Sequence, residues 1–213
     1  MCTPDPAHRH PIPPNIPENA VRPFRPLLPL AALLAPSLAF AHSQGSHAIG
    51  FGAGLWHPFS GLDHLLAMVA IGIWAAWLGG SARWRLPATF VAAMAVAAAW
   101  GVGTAGLAAG EAVIACSVVA LGILVADAWN ALPARVATAV VVPFAIAHGH
   151  AHGAEMPLDA NGLAYGAGFV LAALLLHAAG LGLGAWMARR PAMLARAVGI
   201  AIALVGATIL VTR

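Results

Sequence analysis

The chain has 213 residues, of which 61% are hydrophobic and only 8% charged, where a soluble domain carries about 25% charged residues. Its basic residues are all arginines, scattered singly or in pairs between apolar runs, and the formal net charge is +3. That pattern excludes a basic nucleic-acid patch and the surface of a soluble enzyme, and it suits arginines that set membrane topology. Two cysteines, Cys2 and Cys116, are too few and too far apart in sequence for a disulfide framework or a thiolate zinc site. Ten histidines against one tyrosine is the unusual feature. The composition reads as an all-α integral membrane protein enriched in histidine.

In chain order, residues 1–20 are proline-rich and polar and cannot build a core. We read them as a disordered extension, or as an extension that is not translated if synthesis starts at Val21. Residues 21–41 have the parts of a cleavable signal peptide. Arg22 and Arg25 form a basic region, 27–40 is an apolar run, and Ala39-Phe40-Ala41 is an A-x-A site. Cleavage after Ala41 leaves His42 as the mature N-terminus. The competing reading is an uncleaved first membrane helix, against which Pro29 and Pro36 interrupt the run.

Residues 42–213 contain six apolar runs of membrane-spanning length, at 61–79, 86–107, 110–129, 134–151, 162–187 and 192–211. Arginines between the first and last run fall only at the first, third and fifth connections (Arg83 and Arg85, Arg135, Arg189 and Arg190). Cytoplasmic loops collect arginine, so these connections are inside and both mature termini are periplasmic. A six-helix transmembrane bundle follows. Its halves run in opposite senses, which allows a 3+3 inverted arrangement, although no sequence repeat marks it. Glycine clusters at 101–103, 166–168 and 180–184 predict close helix packing. Trp56, Trp84, Trp129 and Trp186 sit at span ends, as an aromatic belt requires.

Two polar motifs interrupt this apolar background. The first, HPFSGLDHLLAM at 57–68, carries His57, Asp63 and His64. On one helix His57 and His64 would share a face two turns apart. Pro58 and Gly61 instead predict an irregular His57 with the regular span starting near Gly61. Met68 lies one turn beyond His64 on the same face. The second motif, HGHAHGAE at 148–155, places His148, His152 and Glu155 on one helical face, with His150 pointing elsewhere as a supporting or solvent-facing group. Taken singly, the Asp63–His64 pair also reads as a structural hydrogen bond, and the second motif as a solvated loop. The topology brings both motifs to the outer face. Imidazoles with carboxylates and no thiolate suit nickel, cobalt, zinc or copper. An imidazole ligates only when neutral, so binding should weaken as pH falls through about 6.5. His42 could add a chelating N-terminus, and His177, mid-way along the fifth run, reads either as a relay along an ion path or as a packing hydrogen bond. Asp127 and Glu111 have structural readings, as a partner for Arg135 and as a favourable charge at a helix N-terminus.

HPFSGLDHLLAM followed by HGHAHGAEMP resembles the HupE/UreJ family of hydrogenase and urease accessory membrane proteins. The likeness covers the mature chain and both motifs in order, and leaves residues 1–20 outside. The resemblance implies a bacterial inner-membrane permease for Ni²⁺, or Co²⁺, supplying hydrogenase or urease maturation. It maps the metal-handling residues to His57, Asp63, His64, His148, His152 and Glu155; the reading of the residues themselves adds His150, Met68, His42 and His177 as secondary candidates. It implies no enzyme activity and no prosthetic group, the metal ion being cargo. Its partners are that ion, the lipid bilayer and maturation proteins, with no nucleic acid. No phosphate-binding G-x-x-x-x-G-K-[ST] pattern occurs and there is no lysine to complete one, so ATP is not the energy source. Two other classes fit the residues: a zinc-dependent intramembrane hydrolase, and a metal-binding accessory protein that does not transport.

Overall fold

The computed structural model describes residues 50–106, 110–127, 132–156 and 162–212. The extension, the signal peptide, His42 and Trp129 lie outside them. Seven α-helices, and no strand, occur among the described residues: α1 Phe51–Ser60, α2 Leu62–Leu78, α3 Ala82–Gly101, α4 Gly110–Ala126, α5 Ala134–Glu155, α6 Gly162–Met187 and α7 Ala192–Thr212. By length and composition, α6 and α7 can cross a membrane, and α1 with α2 makes a third crossing if the bent pair is one broken span. The fold is thus all-helical with two or three such spans by these criteria.

Local sequence explains the boundaries. α2 ends where Gly79 and Gly80 take φ of 68° and 49°, a left-handed backbone that glycine adopts without the cost a Cβ would bring. Pro133 and Pro191 stand just ahead of α5 and α7, where a missing N–H does no harm. The expectation for His57 needs correcting. It is not in irregular chain but inside α1, with Pro58 also helical. The break comes at Gly61 (φ −95°, ψ 114°), where the chain turns by 82° between α1 and α2. The helix before Pro58 was hidden because Phe51–Trp56 is glycine-rich and short.

Glycines set the helix pairs. A Cβ on Gly72 would strike the His177 carbonyl and Gly180, and one on Gly184 would strike Ile73, so α2 and α6 run parallel in contact. Gly149 meets Met94 and Gly153 meets Ala98, which makes α3 and α5 a second parallel pair. Gly122 and Gly199 approach Ala203 and Ala126 respectively, and Gly206 approaches Val119, giving an antiparallel α4–α7 pair. α1 lies antiparallel to the start of α6, with Gly54 against Tyr165 and Gly168 against Phe51. Such approach is what small residues permit where apolar burial alone does not drive helices together.

The core gathers Met68, Ile71, Trp74, Phe90, Leu121 and Val141. Large apolar side chains are also exposed in mid-helix, among them Val96, Ile123, Leu175, Ile200 and Leu204. A water-facing surface avoids such a band; a lipid-facing one needs it. Trp56, Trp84 and Trp186 are exposed near helix ends, and Arg85 and Arg190 lie over the Trp84 and Trp186 rings.

Candidate metal centre

The bend at Gly61 creates the site. His57 approaches from α1 and His64 from the first turn of α2, so the two rings, 5.9 Å apart, converge across a corner rather than along one helical face. α5 stays helical through Glu155 and delivers His152, whose ring lies 4.8 Å from His57 and 4.3 Å from His64. One ligand nitrogen from each of His57, His64 and His152 can be chosen so that all lie within 4.8 Å of one another. Nitrogens bound to one ion at about 2.1 Å are at most about 4.2 Å apart. Small ring rotations therefore suffice to close this trio on a divalent ion.

Hydrogen bonds show which nitrogens are available. His64 Nδ1 donates to Asp63 Oδ1 at 2.5 Å, and that oxygen also accepts the His64 backbone N–H at 2.9 Å. Asp63 is 3% exposed. A carboxylate behind an imidazole fixes its tautomer and raises its basicity toward a metal, leaving His64 Nε2 to face the other rings. His148, one turn back along α5, donates Nδ1–H to the Phe144 carbonyl at 2.8 Å, and its ring is 5.3 Å from that of His64. The Nε2 atoms of His64 and His148 and both ring nitrogens of His152 are buried with no hydrogen-bond partner. Buried polar atoms are normally paired, and each orphan costs about 1–3 kcal/mol. His64 Nε2 and one nitrogen of His152 are thus open donors beside His57, a set with the chemistry to take a borderline cation, and His148 Nε2 is a further open donor one turn along α5.

The remaining candidates divide. Glu155 is exposed one turn after His152 and stands outside the imidazole trio. His150 does not face solvent: it is 3% exposed, its ring 5.0 Å from that of Trp100 and its Nε2 3.4 Å from Thr104 Oγ1. Met68 is fully buried. His177 is buried in α6 away from the trio, donating Nδ1–H to the Ala173 carbonyl at 2.6 Å. Asp127 and Glu111 are exposed at the end and the start of α4.

Aromatic walls were not visible as site residues in the sequence. Phe169 packs on His57 and His152 with ring centroids at 5.8 and 4.5 Å, Tyr165 lies 5.9 Å from His57, and Phe90 lies 5.6 Å from His148. An aromatic residue in an apolar helix carries no sequence signal beyond core packing. A cavity of about 760 Å³ between α3, α5 and α6 has His152, Tyr165 and Phe169 in its wall.

Comparison with known proteins gives the chain's family. The model of the family described as HupE / UreJ protein matches residues 30–209. Protein HupE of Rhizobium leguminosarum bv. viciae is 48% identical over 183 residues, covering 85% of this chain and 95% of that relative. No solved structure matches the chain. A helical chain with exposed mid-helix apolar side chains, two histidine motifs folded onto one point and this coverage belongs to the HupE/UreJ family, whose members are nickel-related hydrogenase and urease accessory membrane proteins and not enzymes.

Proposed function

We propose that the protein is a permease that carries Ni²⁺, and by the same donors Co²⁺, across the bacterial inner membrane for hydrogenase or urease maturation. The observation that carries this reading is the trio of His57, His64 and His152 in a helical bundle of membrane composition, two of whose members, His64 and His152, keep unpartnered nitrogens buried beside part-buried His57. Unpaired imidazoles in such surroundings are expensive and default to function.

In this reading α2 to α7 each cross the bilayer, after cleavage of a signal peptide at 21–41, with both mature termini periplasmic. The arginines stand at the α2–α3, α4–α5 and α6–α7 connections, the cytoplasmic side under the positive-inside rule. Alternating crossings make α2 and α6 parallel, α3 and α5 parallel, and α4 and α7 antiparallel, and the glycine contacts have those senses. Exchanging the two three-helix halves turns the α2–α6 pair into α5–α3 and returns α4–α7 to itself. That supports a 3+3 inverted arrangement. α1 then serves as a short arm that folds back over the outer end of α6 and brings His57 to the site.

A hydrated ion reaches the site from the periplasm, with exposed Glu155 drawing cations to the mouth. His57, His64 and His152 replace part of its water shell. Asp63, behind His64, supplies a negative charge that offsets desolvation of a dication. His148 offers the next nitrogen along α5. Neutral donors with one carboxylate behind them hold an ion loosely enough to release it, as conduction demands. The membrane potential is worth about 2.3 kcal/mol per charge per 100 mV, and twice that for a dication. Cytoplasmic maturation proteins would take up the released ion.

The test is ⁶³Ni uptake by proteoliposomes carrying wild type, His64→Ala or His152→Ala. Wild type accumulates nickel and both variants lose uptake. Uptake that is equal in all three would remove this mechanism, and nickel binding without uptake in wild type would identify a non-transporting accessory protein.

A further inference from the structure

His177 is a buried imidazole that the site described so far does not use. It is 1% exposed in the middle of α6. Its Nδ1–H is committed to the Ala173 carbonyl, which fixes the lone pair on Nε2, and Nε2 is buried with no hydrogen-bond partner. The same arrangement occurs at His148, where the Phe144 carbonyl takes Nδ1–H and Nε2 is left bare. A histidine kept only to pack helices would use its second nitrogen across an interface; this one bonds only its own helix.

Its position extends the row of rings. His57 and His152 are 4.8 Å apart, His152 and His64 4.3 Å, His64 and His148 5.3 Å, His148 and Phe90 5.6 Å, and Phe90 and His177 5.4 Å. The Phe90 ring thus stands between the last imidazole of the α5 motif and His177. Across from His177, its own carbonyl abuts Gly72 of α2, and fully buried Met68 lies one turn earlier on that face of α2.

We propose that His177 Nε2 is a second, deeper binding position for the transported divalent ion, reached from His148 past the Phe90 ring. This rests on the permease reading given above. A lone imidazole with water holds Ni²⁺ more weakly than three imidazoles, so ions reside at the outer trio and pass through the deeper position. Multi-site passage through weak positions is what lets a bound ion leave.

Equilibrium ⁶³Ni binding to the purified full chain and ⁶³Ni uptake in proteoliposomes separate the two positions. The variants are His177→Ala, His177→Asn and His64→Ala. Asn keeps a side-chain amide that can donate to the Ala173 carbonyl, but it has no nitrogen in place of Nε2. Both His177 variants are expected to bind nickel within about twofold of wild type and to show a maximal uptake rate about tenfold lower with KM nearly unchanged. His64→Ala loses binding itself. Wild-type uptake by His177→Asn would overturn the proposal, since the side chain would then be only a helix hydrogen bond. If His177→Ala does not insert, the Asn variant carries the test. Wild-type binding and uptake by His64→Ala would instead overturn the outer site, whatever His177 does.

Discussion

The α4–α7 pair and the α3–α5 pair are built from the same device and end up with different chemistry. Each is closed by glycines against backbone: Gly122, Gly199 and Gly206 in one, Gly149, Gly153 and Gly101 in the other. Along α4–α7 the buried polar side chain is Ser117, satisfied within its own helix by the Ile114 carbonyl at 2.6 Å. Along α3–α5, His148, His150 and His152 are buried, and two of them leave Nε2 without a partner. Close packing is therefore scaffold in both places, and the proposed function rests on what stays unsatisfied. In HGHAHGAE the glycines at 149 and 153 bring α3 close while the histidines at 148 and 152 look toward α2. One four-residue period serves both tasks on adjacent faces.

The largest expected effect comes from removing a ligand of the trio. His152→Ala should reduce nickel affinity by more than the about 10–100-fold typical of losing an outer-shell partner, with folding intact by size-exclusion profile and circular dichroism. Full-affinity binding by this variant would erase the distinction between the two pairs. Next, Gly149→Val should damage both stability and binding. Its side chain would drive into the Met94 carbonyl, overpacking of a kind that costs about 1–3 kcal/mol or more, and it would displace His148 and His152 together. Gly199→Val, which strikes Ala126 and Gly122, should lower thermal stability by a similar amount yet leave nickel affinity per folded molecule unchanged. Loss of affinity in that variant would mean that α4–α7 takes part in the site. Asp63→Asn should weaken binding by about 10–100-fold while the fold persists, because the amide no longer holds His64 in one tautomer. Glu155→Gln should have the smallest effect, a few-fold slower uptake at low ion concentration that fades in high salt. A total loss would place Glu155 on the ion.

Much of this was legible in the residues. The positions of α2 to α7 follow from apolar runs and their glycine and proline boundaries, and the two motifs name every histidine of the centre. The join between α1 and α2 was not legible, because His57 and His64 share a face on a continuous helix as readily as they converge across a bend. Only the backbone at Gly61 separates those cases. For Asp63 the sequence left open a metal-facing carboxylate and a hydrogen bond to His64, and only the side chain folding back onto its neighbour's ring gives the second. The burial of His150 and the row through Phe90 to His177 depend on which faces of α3, α5 and α6 meet, and spacing within one helix does not encode that.

The most direct test of the centre is nickel K-edge X-ray absorption on the purified full-length protein loaded with one equivalent of Ni²⁺. The account predicts nitrogen and oxygen ligation with outer-shell scattering from about three imidazoles, falling to about two in His152→Ala. A spectrum without imidazole scattering, or one unchanged by His152→Ala, would contradict it.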